Sequence, residues 1–269
     1  MRPIWKMGLF LLLTVLMISM AACGNDHSKE DAAAPAEKAE LTISAAASLT
    51  DALNDIQKAY STVAPNVTLR FNFGASGALQ QQIEQGAPAD LFLSAATKNM
   101  KALVDKELIQ ADQTTTLLNN ELVAVVPKDS DTRIANVTDL SSDAVKFVAI
   151  GIPDSVPAGQ YAQESLTQAG LWASLRSKMV QGKDVKQVLQ YVETGNADVG
   201  FVYKTDALVS GKVKIAFSVD PATYKEIEYP IGIVAATSHP DAAKAFYDYL
   251  QTDDAMKIFT EYGFSAPKA

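Results

Sequence analysis

Thr42-Ile43-Ser44-Ala45-Ala46-Ala47-Ser48-Leu49-Thr50-Asp51-Ala52-Leu53 carries an apolar run through a turn of small, uncharged residues into a helical pattern. Leu41–Ala45 reads as a strand, and Leu53, Ile56, Gln57 and Tyr60 then recur at helical spacing. The same passage from strand to small-residue turn to helix returns at Gly74-Ala75-Ser76-Gly77 and at Val156-Pro157-Ala158-Gly159. None of the three turns holds Lys, Arg or His. Helix N-termini expose amides that lack intrahelical acceptors and carry the positive end of the dipole, so they attract anions. Three of them without a cation predict a neutral, dry pocket for a fully ionised oxyanion.

Outward from these corners the chain alternates strand and helix. Strands are expected at Val67–Phe73, Leu91–Ser94 and Glu121–Pro127, with helices from Ser76 through Ile83 and over Asn99–Lys106. Ser48, with Asp51 as a capping-box-like partner, and Ser76 read as N-caps. A second series has strands at Phe147–Ile150, Val199–Tyr203 and near Val213–Phe217, and helices at Ala158–Ala169 and Val185–Glu193. Ile231–Ala236 is strand-like, and Asp241–Leu250 and Asp254–Glu261 are closing helices. Repeated βα units predict an α/β fold of mainly parallel sheets flanked by helices, with ligands at the carboxyl ends of the strands. Two such series predict two lobes: 41–120 with 230–269 as lobe I, and 121–229 as lobe II. The apolar stretches Glu121–Pro127 and Tyr229–Ala236 are the expected linkers.

The first residues read as a targeting signal over 1–22. Arg2 and Lys6 precede an apolar run of about 16 residues, short of the roughly 20 that span a membrane. Ala21-Ala22-Cys23 resembles a bacterial lipobox, which makes Cys23 the expected lipidation site and membrane anchor. As the chain's single cysteine it has no intramolecular partner. Residues 23–40, rich in Ala, Asp, Glu and Lys, read as a disordered tether. Removing Arg2 and Lys6 from 23 basic residues leaves 21 against 31 acidic ones, a net charge near −10. That balance disfavours nucleic acid as a partner and requires an anion site to be built from local dipoles.

Ordered segments along the whole chain resemble the substrate-binding proteins of molybdate ABC transporters. They are Ala45–Thr50, Phe73–Leu79, Gly86–Ala95, Val156–Ala162, Glu193–Tyr203 and Thr205–Ala207. The resemblance implies a two-lobed type II periplasmic-binding-protein fold with two crossing strands, acting as a monomer with an ABC permease. It implies molybdate or tungstate as cargo, with no cofactor and no direct protein bond to the metal. Carried over by position, the ligand contacts are Ser48, Ser76, Ala158, Val185 and Tyr203. Lys183 and Lys186 lie beside Val185 and add positive charge near that contact.

Each residue also has a plainer reading. The two serines serve as caps worth about 1 kcal/mol each, Pro157 suits a first helical turn, and Tyr203 is a half-buried core tyrosine. A serine hydrolase lacks its base: the chain offers only His27, in the tether, and His239. A zinc or haem site lacks ligands. The nearest rival is a receptor of the same fold for sulfate or another small anion. A carboxylate receptor would use an arginine clamp, and Arg70, Arg133 and Arg176 all lie outside the turns.

Overall fold

A computed structural model describes residues 38–267. The signal and tether, with Cys23 and His27, fall outside the described residues except at the tether's end. There β1 (Ala39–Ala46) takes up Ala39 and Glu40, paired with Val67 and Thr68, so the ordered chain starts before the expected boundary at 41.

The first half continues through α1 (Thr50–Val63), β2 (Val67–Gly74), α2 (Ser76–Glu84), β3 (Leu91–Leu93), α3 (Thr97–Asp105) and β4 (Ile109–Asn120). After Glu121 come β5 (Leu122–Pro127), β6 (Val148–Gly151), α4 (Pro157–Gln168), α5 (Trp172–Leu175) and β7 (Met179–Gly182). Then follow α6 (Val185–Glu193), β8 (Val199–Tyr203), α7 (Lys204–Val209) and β9 (Val213–Ser218). β10 (Ile227–Val234), α8 (Pro240–Tyr249) and α9 (Asp253–Glu261) close the chain.

The strands form two five-stranded sheets, ordered β2-β1-β3-β10-β4 and β7-β6-β8-β5-β9. In each, four strands share a direction and one runs against them: β10 in the first and β5 in the second. Each reversed strand is the one that has just arrived from the other lobe. Glu121–Pro127 and Tyr229–Ala236 are therefore not linkers. Leu122 to Val126 are buried in the middle of the second sheet, and Tyr229 to Val234 in the first. Their continuous apolar character is that of strands covered on both faces. The crossings are shorter, at Asn120–Glu121 and between Ser218 and Ile227, and they lie side by side because Ile227 pairs with Asn120. β10 also moves 227–229 from the expected second lobe into the first.

The helices cover both sheets. α6 buries Val185, Val188, Leu189 and Val192 at helical spacing. α1 buries Ala52, Leu53, Ile56 and Tyr60, where Tyr60 meets Phe246 and Tyr249 of α8 with ring centroids 4.9 and 4.8 Å apart. The closing helices thus return to the first lobe.

Candidate functional site

The ends of β1, β2 and β8 and the starts of α2, α4 and α6 converge on one small cavity between the lobes. Ser48, Ser76, Ala158, Val185 and Tyr203 all line it, together with Ala46, Ala47, Gly74, Ala75, Ala95, Val156 and Pro157. No charged side chain lines it. The five expected contacts are buried, so this conformation is closed around the cavity.

Neither serine is a cap. A short 3-10 turn (Ala47–Leu49) precedes α1, and the position before α2 is Ala75; no side chain bonds the helix amides at either end. The hydroxyls are committed elsewhere. Ser48 Oγ lies 2.9 Å from the Tyr229 hydroxyl, and Ser76 Oγ accepts from the Ala95 amide at 2.9 Å. Having accepted there, Ser76 keeps its own proton for the cavity.

The backbone supplies further donors. Ala158 sits one residue after Pro157 in the first turn of α4, and Val185 opens α6, so neither amide has an intrahelical acceptor. Asp184 caps α6 by accepting from the Gln187 amide, which leaves the Val185 amide untouched. Tyr203 is 1% exposed, and its hydroxyl has no hydrogen-bond partner among the described residues. Burial pushes its pKa well above the ordinary tyrosine value, with Tyr229, Tyr161 and Asp206 adding to the rise. It therefore stays protonated, a donor aimed at a cavity that holds no acceptor for it. A buried, unpaired hydroxyl costs about 1–3 kcal/mol, and an oxyanion in the cavity would remove that cost.

Behind the cavity lies the charge that sequence reasoning placed only loosely. Lys186 Nζ contacts Asp51 Oδ2 at 2.6 Å and Asp206 Oδ1 at 3.4 Å. Burial works to lower the Lys186 pKa, but Asp206 and Asp51 outweigh it and hold the ammonium above its ordinary value. Burial raises Asp206 to about 6, against the pull of Lys186 and the Tyr203 amide. The ammonium is thus spent on two carboxylates, and neither Lys183 nor Lys186 lines the cavity.

Three contacts hold the lobes together around the site. The Gly77 amide donates to Ser155 O at 2.9 Å, the Tyr161 hydroxyl donates to Ala95 O at 3.3 Å, and Lys186 of α6 reaches Asp51 of α1. Sequence reasoning missed these, and it missed Tyr229 and Asn120. Tyr229 lies in an apolar run that reads as a linker, and because that strand is buried on both faces its sequence has no alternation to single the residue out.

Comparison with known proteins agrees with this architecture. The family model for bacterial extracellular solute-binding proteins matches residues 41–265. YvgL of Bacillus subtilis, whose name places it among ABC transporter substrate-binding lipoproteins, is 49% identical over 97% of this chain and 98% of its own. The molybdate-binding protein ModA of Escherichia coli is 39% identical over 92% of this chain and 94% of its own. The solved periplasmic molybdate-binding protein of Azotobacter vinelandii superposes with a TM-score of 0.77 at 22% identity, covering 85% of this chain and all of that one. That likeness establishes the type II periplasmic-binding-protein fold.

Proposed function

Since the chain belongs to the bacterial extracellular solute-binding protein family, and acts as the substrate-binding protein of an ABC transporter, we propose that its cargo is molybdate or tungstate. Ser48, Ser76, Ala158, Val185 and Tyr203 would hold the ion between the lobes, and the closed form would present it to the permease. The family is one of binding proteins rather than enzymes. Lipidation at Cys23 would keep the protein at the outer face of the membrane, as the name of YvgL suggests for that relative.

The observation that carries this reading is the one-sided chemistry of the cavity. Its polar groups are hydroxyls and first-turn amides, its walls are alanine, glycine, valine and proline, and no carboxylate or ammonium enters it. Such a cavity satisfies an anion that only accepts. A protonated oxyanion such as phosphate near neutral pH brings an O–H that would be buried without a partner. Neutral donors of fixed geometry keep the entropic cost of binding low, and they avoid the stronger ion pairs with Arg or Lys that would slow release. Sulfate matches molybdate in charge and shape, so the size of the cavity has to separate them.

Titration calorimetry with molybdate, tungstate, sulfate and phosphate tests the assignment. Binding of the first two, with sulfate weaker and phosphate weakest, is expected; tighter sulfate binding, or no heat with molybdate, would refute it. Tyr203→Phe separates a donor from a core residue. It should weaken molybdate about tenfold, the worth of one good hydrogen bond. The ligand-free melting temperature should hold or rise, because an unpaired buried hydroxyl is removed. A fall in melting temperature with unchanged affinity would return Tyr203 to the core.

A further inference from the structure

From the hydrogen bonds behind Ser48 we infer that Asn120 and Tyr229 are positioning residues, which fix the direction of the Ser48 hydroxyl so that it can only donate to the anion. This rests on the proposed oxyanion site and specifies how one of its donors is set.

The direction follows from one amide. Asn120 Oδ1 accepts from the Glu121 backbone amide at 2.8 Å, and only the oxygen of that side chain can accept. Its Nδ2 is therefore the end that faces Thr205 Oγ1 at 3.0 Å and the Tyr229 hydroxyl at 3.3 Å. An NH₂ group has nothing to accept with, so the phenol oxygen receives its proton. The phenol's own proton then needs an acceptor; Ser48 Oγ at 2.9 Å meets hydrogen-bond geometry, whereas the neighbouring Tyr203 hydroxyl does not. Tyr229 is 1% exposed, so water does not compete for it. Burial, and then the nearby Asp206 charge, drive its pKa well above the ordinary value, so it keeps that proton. Ser48 Oγ, having accepted, has its hydrogen left for the cavity.

The arrangement repeats the logic of Ser76, whose oxygen is occupied by the Ala95 amide. At Ser76 a backbone amide sets the direction at once. At Ser48 it is set two links away, at the first crossing between the lobes. Thr205, which shares the Asn120 amide, belongs to α7 of the second lobe. Without Asn120 or Tyr229 the Ser48 hydroxyl is free to turn and present a lone pair, and the cavity then accommodates a protonated oxyanion less badly.

The test is a double-mutant cycle in the full chain, read by calorimetry with molybdate and with inorganic phosphate at pH 7. Tyr229→Phe should weaken molybdate about tenfold in the Ser48 background. In the Ser48→Ala background it should change affinity less than about twofold, because the two residues act as one unit. The ratio of molybdate to phosphate affinity should fall in Tyr229→Phe, a change that a general loss of packing would not produce. Asn120→Ala, at a partly exposed position, should lower that ratio in the same direction and serves in the same cycle if Tyr229→Phe does not fold. Equal effects of Tyr229→Phe in both Ser48 backgrounds, or an unchanged anion ratio in the variants that fold, would overturn the inference. Absence of molybdate binding by the unsubstituted protein would instead overturn the proposed function.

Discussion

Gly77→Ala should abolish most of the ligand affinity while leaving the ligand-free protein as stable as before. A Cβ at Gly77 would lie 2.8 Å from Ser155 O and 2.9 Å from its Cα. Both are backbone atoms, so no rotamer change relieves the collision. They also belong to the other lobe, which makes the inexpensive relief a small opening of the cleft. That opening breaks the bond from the Gly77 amide to Ser155 O and draws Ala158 and Val185 away from Ser48 and Ser76. Overpacking costs of about 1–3 kcal/mol correspond to losses of about fivefold to more than a hundredfold, and we expect the upper end. Within its own lobe Gly77 lies in the first turn of α2, where alanine is a better helix former. Calorimetry and thermal melting read the two effects separately. An affinity within twofold of the parent would mean that the lobes close without the Gly77–Ser155 contact.

Lys186→Met should destabilise the protein strongly at neutral pH and much less under acid. Asp206 has no exposed side-chain surface, and Lys186 is the cation beside it. Stripping one partner from a buried pair costs about 3–5 kcal/mol. Asp206 has a folded-state pKa of about 6, above the ordinary 3.8. Between those values the folded chain binds more protons than the unfolded chain, so this group's contribution to stability falls as pH rises. Loss of the lysine charge moves the folded value higher still and extends that decline through neutrality. The variant should melt well below the parent at pH 7.5 and approach it near pH 5, where Asp206 is neutral. Adding Asp206→Asn should restore stability at pH 7.5. A deficit independent of pH would show that Lys186 contributes packing rather than charge.

What could be read from the sequence is uneven for physical reasons. α6 and β8 stand at the expected residues, Val185–Glu193 and Val199–Tyr203. Their patterns, four buried residues on one helix face and an unbroken apolar run, report burial directly. β4 does not read as a strand because Ile109–Asn120 is dominated by threonine, asparagine and other polar residues. It forms the outer strand of the first sheet, where pairing with β10 rather than burial holds it. The serine corners were located, but the work of their hydroxyls was not. A cap is a local contact and can be guessed from neighbours in sequence. The bond from Ser48 to Tyr229 spans 181 residues and exists only once β10 is in place. In the sequence Lys186 reads as a charge near the site, but its neutralisation by Asp51 and Asp206 depends on two helices in different lobes.

The position of β10 also bears on how the chain reaches this state. The second sheet is drawn wholly from the continuous stretch between Leu122 and Ser218, so every pairing it needs is available once that stretch exists. The first sheet is not so placed. β10 inserts between β3 and β4, and β4 has no other partner within the sheet. Closing it requires a strand that follows the entire second lobe, a long loop whose entropy must be met before the pairing repays it. The second lobe should therefore consolidate first, with the docking of β10 as the late, slow event. That event also brings Ile227 beside Asn120 and Tyr229 beside Ser48. The hinge, the finished first sheet and the oriented Ser48 hydroxyl thus come into being in one step, so an incompletely folded chain holds no working anion site.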